Sequence, residues 1–155
     1  MRCQQSFRQM CWQFADGIGQ LSLLFLSKLA DVTDRTPFIR VTAMPADTNP
    51  YGGVFGGWLM SQMALAAGSL ASRHARGKCV VVAADGLSFT GAPSVGDEIS
   101  VYADIEQQGR SSMTIAVTAE ARERDGETIF DVAKGRFTFV ALDSNDRPRG
   151  IAAEK

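Results

Sequence analysis

The sequence predicts an α+β domain: one long, slim helix wrapped by an antiparallel sheet of about five strands. Three observations predict it. From about Gly56 to Arg76, apolar residues recur at helical spacing and most of the others are small. Four segments of strand length follow, each with alternating or continuous apolar residues. Short glycine-containing links join them, as antiparallel neighbours require. A chain of 155 residues suits one domain with a real core. Its 45% hydrophobic and 21% charged residues place it among soluble globular proteins.

Taken in order, residues 1–31 differ from the rest and read as a poorly ordered N-terminal extension. A signal peptide fits badly. The apolar run Leu21–Leu26 is short, and Lys28 takes the position three before a cut after Ala30, where a small residue is needed. The run is also far too short to span a bilayer. An amphipathic segment lying on the domain or on a membrane surface is the alternative. Translation starting at Val32 is a further hypothesis; an intact mass of the natively expressed protein equal to all 155 residues contradicts it.

The domain is expected over 32–143, followed by a polar C-terminal tail over 144–155. Thr36–Met44 alternates as a first strand and Pro45 ends it. Asp47, Thr48, Asn49, Pro50 and Gly52 form a dense turn cluster. In the helix, Phe55, Leu59, Met63 and Ala67 recur at i, i+4, while Ala64, Ala66, Gly68, Ser69, Ala71 and Ser72 keep it slim enough for a sheet to approach closely. Arg73, His74 and Arg76 suit the negative end of the helix dipole, and Gly77 is a natural cap. Strands are then predicted at Cys79–Phe89, Ile99–Gln107, Ser112–Arg122 and Thr128–Leu142. The first begins as a continuous apolar run, the pattern of a buried strand. Tight hairpins are expected at Gln107–Arg110 and Arg124–Glu127, with Asp125-Gly126 signalling a type I′ turn.

Bulk properties exclude several functions. A net charge of −1 gives no electrostatic case for nucleic acid. The three cysteines, Cys3, Cys11 and Cys79, are odd in number and form no CxxC pair. This argues against a disulfide framework or zinc site and for a reducing, cytoplasmic setting. His74 is the single histidine, so no metal cluster built on histidines is expected and a Ser-His-Asp triad has one possible base.

The chemistry-bearing candidates are few. Gly56-Gly57 opens the helix, where backbone N–H groups have no intrahelical acceptor and can receive an anion or a developing oxyanion. Residue 64 lies two turns past Gly57 on a similar face. An acid there would look along the groove towards the helix start, but the residue is Ala64. Gly53, in the loop, carries no side chain. Gly109-Arg110-Ser111-Ser112 offers a cation and two hydroxyls at a hairpin, which with Arg73, Arg76 and Lys78 could hold phosphates; solvated turn charge is the plainer reading.

The block Met44-Pro45-x-Asp47-Thr48-Asn49-x-x-Gly52-x-x-Phe55-Gly56-Gly57-Trp58-x-Met60-Ser61-Gln62-Met63 resembles the hot-dog fold acyl-CoA thioesterases, in particular the bacterial short- and medium-chain acyl-CoA hydrolases. The resemblance runs from about Pro37 to Ala141. It includes Val80-Val81, Ser88-Phe89, Val95-Gly96-Asp97, Tyr102, Gly109–Ser112 and Phe137-x-Phe139-Val140-Ala141. It implies the helix-and-sheet fold already read from the residues. It also implies a homodimer or trimer of dimers, with acyl-CoA bound at the dimer interface and coenzyme A present only as part of the substrate.

By that resemblance, Gly56 and Gly57 hold the thioester oxygen, with Phe55 and Asn49 beside the substrate. Arg110, Ser111 and Ser112 lie near the CoA. The catalytic carboxylate maps onto Ala64 and a second polar position onto Gly53, so both groups are missing. The proline after the second strand, Pro93, also stands one place late. The chain therefore reads as an acyl-CoA thioester hydrolase lacking its acid groups, or as a non-catalytic acyl-CoA-binding or assembly module. A dehydratase of the same fold needs a histidine in the cleft, and His74 lies at the far end of the helix.

Overall fold

The computed structural model describes residues 35–151; the N-terminal extension, the hypothetical start at Val32, Cys3 and Cys11 lie outside the described residues. Five strands and one long helix follow one another: β1 (Ile39–Thr42), α1 (Gly56–His74), β2 (Cys79–Phe89), β3 (Glu98–Gln108), β4 (Ser112–Arg122) and β5 (Ile129–Ala141). A single 3-10 turn, Pro45–Asp47, follows β1. All pairings are antiparallel and the sheet order is β1-β3-β4-β5-β2.

The core lies between α1 and one face of this sheet. Leu59, Met63, Ala66, Ala67 and Ala71 form the buried stripe of the helix. Opposite them, β4 alternates strictly, burying Met113, Ile115, Val117, Ala119 and Ala121. Phe137 and Phe139 of β5 fill the space beneath the helix. The small residues allow this approach: a Cβ on Gly68 would stand 3.5 Å from Phe139 Cε1. Each large apolar side chain so buried contributes about 1.5–3 kcal/mol.

Three expectations need correction. The strand β2 is not a buried strand. It is one of the two edges of the sheet, paired with β5 alone, and Val81 and Val82 are more than half exposed. An apolar run marks a strand without saying whether its neighbour is in the same molecule. Asp125-Gly126 makes no type I′ turn, because neither residue has a left-handed φ. The loop instead closes through Gly126 N–H donating to Glu123 O at 3.4 Å and Glu123 N–H donating to Thr128 O at 3.1 Å. This longer connection needs no positive φ.

The third correction is at the end of α1. The helix stops at His74, and Arg76, not Gly77, takes the left-handed conformation with φ 49°. Arg76 N–H donates to Arg73 O at 3.3 Å and Gly77 N–H to Ser72 O at 3.1 Å, the paired bonds of a Schellman cap. Holding a side-chain-bearing residue there is costly. Arg76→Gly is therefore expected to stabilise the fold by about 0.5–1 kcal/mol, read as a higher Tm in thermal unfolding. Gly77 has a different reason to be glycine: a Cβ there would meet Arg149 Nη2 at 2.7 Å.

The segment after β5, predicted as a polar tail, makes defined contacts. Asp143 Oδ1 accepts from Asn145 and Arg147 N–H at 2.8 and 2.9 Å, turning the chain back. Leu142 then bridges Pro148, and Arg149 N–H donates to Ala141 O at 2.9 Å.

Candidate active site

The loop before α1 is a small closed hairpin. Thr48 bridges Val54, Asn49 N–H donates to Gly53 O at 2.7 Å, and Gly52 N–H donates to Asn49 O at 3.0 Å. The Asn49 side chain holds the turn from inside, its Oδ1 accepting from Tyr51 N–H at 2.8 Å and Gly53 N–H at 3.3 Å. This is the Asx-type turn that Asn favours. Phe55 N–H closes the loop on Asp47 O at 2.8 Å. Gly52 must be glycine, with φ +89°. Gly53 need not be: its φ is not left-handed, and a Cβ would meet only Asn49 Nδ2, at an ordinary 3.5 Å.

Phe55 is the N-cap, in extended geometry and without a side-chain cap bond. The first intrahelical bond runs from Leu59 N–H to Phe55 O at 3.1 Å. The N–H groups of Gly56, Gly57 and Trp58 thus have no carbonyl acceptor within the helix. Two aromatic rings wall this terminus. A Cβ on Gly57 would fall 2.7 Å from Phe55 Cζ, so the ring lies across that glycine; a Cβ on Gly56 would fall 3.7 Å from Phe89 Cε1. Both rings are about half exposed. Apolar walls around unpaired donors strengthen their pull on a developing oxyanion.

The groups able to move a proton are sparse there. Ser61 donates its hydroxyl to Gly57 O at 2.8 Å. Ala64 is half-buried beside the core, about 10 Å further along the axis. Its Cβ tilts towards the helix start, so a carboxylate here would lean that way. His74 lies at the opposite end, with Gln108 Oε1 2.6 Å from its Nε2. Burial pushes the Cys79 thiol up, with the Arg149 charge partly opposing; the thiol donates to Ala71 O at 3.5 Å. Among the described residues, no three His, Cys, Asp or Glu side chains converge on a possible metal position.

The structure thus gathers Asn49, Gly53, Phe55, Gly56 and Gly57 at one end of α1, with Ala64 along it. It does not bring Arg110, Ser111 and Ser112 to them. That hairpin joins β3 to β4 near the other end of the helix, where Gln108 meets His74. A 19-residue helix separates the two ends by about 27 Å. Sequence reasoning missed Phe89 as a wall of the helix start and Arg149 at its other end.

Comparison with known proteins defines the class. A family model described as the thioesterase superfamily matches residues 51–127. The solved structure of an aspartate-to-alanine mutant of a hexameric broad-specificity acyl-coenzyme A thioesterase superposes with a TM-score of 0.74. It is 40% identical over 78% of this chain and 89% of its own. A hexameric hot-dog fold thioesterase of Campylobacter jejuni gives a TM-score of 0.71 at 28% identity, over 75% and 90% of the two chains. A Zymomonas mobilis protein named as an uncharacterized acyl-CoA thioester hydrolase is 48% identical over 72% of this chain and 75% of its own length. Within the thioesterase superfamily, this chain has the hot-dog fold and belongs to the acyl-CoA thioester hydrolase family.

Proposed function

We propose that the protein binds acyl-CoA with the thioester carbonyl at the Gly56-Gly57 helix start, between Phe55 and Phe89, and hydrolyses it slowly to CoA and the free acid. The observation that carries this is a helix start with unpaired donors and apolar walls, beside positions 53 and 64 that have no acid. In the reaction, water adds to the thioester carbon and gives up a proton. The tetrahedral oxyanion then collapses, the C–S bond breaks, and the thiolate of CoA leaves and is protonated. The helix start supplies the oxyanion donors. A carboxylate at position 64 or 53 would take the proton from water or attack the carbon itself, and here neither exists. Coenzyme A is part of the substrate and no resident cofactor takes part.

The active unit in this reading is a homo-oligomer, a dimer or a trimer of dimers. Its support is the free edge β2, the exposed Val81, Val82, Phe55, Phe89 and Leu65, and the hexameric state of the structural neighbours. A partner would also bring a second hairpin and helix towards the groove, which the 27 Å separation within one chain calls for. No helix among the described residues is long and apolar enough to cross a membrane. Three cysteines with no CxxC pair support a reducing, cytoplasmic setting in this reading. Because positions 53 and 64 both lack acids, the same site also supports a non-catalytic acyl-CoA-binding role.

Calorimetric titration with coenzyme A tests the binding step shared by both readings. The chain is expected to bind CoA, and Arg110→Ala to weaken binding by about tenfold, as loss of one charge-assisted phosphate contact does. Unchanged affinity in that variant removes Arg110 from the site.

A further inference from the structure

The return of the chain after β5 ends on the Arg110 hairpin. Ile151 N–H donates to Arg110 O at 2.8 Å, and Ala141 N–H donates to Ser111 O at 2.8 Å. The hairpin closes itself through Gly109 N–H donating to Ser112 O at 2.8 Å. Three successive hairpin carbonyls are therefore fixed, two of them by the chain at and beyond the end of β5. The Ile151 side chain packs against the core. Arg110 is exposed, and among the described residues its guanidinium has no hydrogen bond or ion pair.

The returning segment is itself held by Arg149. Its Nη2 donates to Ala75 O at 2.6 Å, at the C-cap of α1. Its Nε donates to Leu142 O at 3.0 Å, and its Nη1 to Gly150 O at 3.2 Å. One planar fork thus joins the end of the helix, the end of the sheet and the segment that reaches the hairpin. Guanidinium has the fixed array of donors this needs; a lysine ammonium is a compact point charge and does not reproduce it. Gly77 leaves the space the fork occupies.

We propose that Arg149 is a positioning residue for CoA binding: it braces the returning segment, which fixes the β3–β4 hairpin with Arg110 presented outward. This rests on the reading that Arg110 contacts CoA. The brace acts through Arg110 and touches no ligand. Removing it lets the hairpin sample orientations in which Arg110 is misplaced, so the binding-competent fraction falls.

The test is a calorimetric double-mutant cycle with coenzyme A on Arg110→Ala, Arg149→Ala and the double variant, with Arg149→Lys alongside. Arg149→Ala is expected to weaken CoA binding by about three- to tenfold, with the double variant no weaker than Arg110→Ala alone. Arg149→Lys is expected to behave like Arg149→Ala, because charge without the fork does not brace. Additive losses, full rescue by lysine, or unchanged affinity in Arg149→Ala while Arg110→Ala weakens binding would each overturn the brace and leave the CoA site standing. Unchanged affinity in Arg110→Ala would overturn the site reading and the brace with it. A second measurement needs no variant: in the unmodified chain, hydrogen exchange at the Ile151 amide is expected to slow when CoA binds. Equal exchange with and without CoA would contradict the proposal.

Discussion

Ala64→Asp combined with Gly53→Asp is expected to raise thioester hydrolysis by about 10²–10⁴-fold over the unmodified chain, the range a positioned acid–base group contributes. The structure gives physical reasons why the change can be made. Gly53 has a φ that any residue accepts, and the space at its Cβ is open except for Asn49 Nδ2 at 3.5 Å. An aspartate placed there sits beside an amide that can donate to it. Ala64 is only half-buried, so its replacement is not forced into a dry core. The helix-start N–H groups proposed as oxyanion donors and the aromatic walls stay as they are. The two single variants apportion the gain: a carboxylate at 64 acts along the helix groove, and one at 53 acts from the loop. Rates measured by release of free CoA thiol from a panel of acyl-CoAs give the answer. Unchanged rates in all three variants would show that neither position carries the chemistry.

Phe137→Ala is expected to cost about 3–5 kcal/mol of stability, measured as a shifted denaturant midpoint. Phe137 is 2% exposed and stands in register between Ile115 of β4 and Ala84 of β2, under the helix. The slim face of α1 makes the loss severe. Ala66, Ala67 and Ala71 have no length with which to fill the cavity, and a 19-residue helix cannot settle locally without dragging the Gly56-Gly57 terminus with it. A loss below about 1 kcal/mol would mean that the core is not packed around this ring.

Much of the fold is legible because α1, β4 and β5 each bury one face. The predicted limits of β2 and β4 coincide with those in the structure, and β4 alternates without a break because its inner face is buried in the core along its length. What is not legible depends on neighbours distant in sequence. Val80 to Val82 read the same whether their partner strand is in this chain or in another copy. Gly77 reads as the left-handed cap, yet it serves the close approach of Arg149, seventy-two positions away in sequence, while Arg76 carries the strain. Asp125-Gly126 carries a strong local signal that a longer loop overrides.

The candidate site divides in the same way. Asn49, Gly53, Phe55, Gly56 and Gly57 are close in sequence and the structure keeps them close. Arg110, Ser111 and Ser112 belong to them only by resemblance, and within one chain the length of α1 holds them apart. Phe89 enters at the helix start through the sheet. Its role follows from the edge position of β2 and could not be read from the loop motif.

The most direct test of the account is a single-turnover experiment with the unmodified protein in excess over a short-chain acyl-CoA, following the appearance of free CoA thiol. The thioester is expected to be bound but largely intact on the timescale of ordinary enzyme turnover, with thiol release at least about 10²-fold slower than in the Gly53→Asp, Ala64→Asp variant. Release from the unmodified chain at rates on the order of 10 s⁻¹ or above would contradict it, because the chemistry would then be running without either carboxylate.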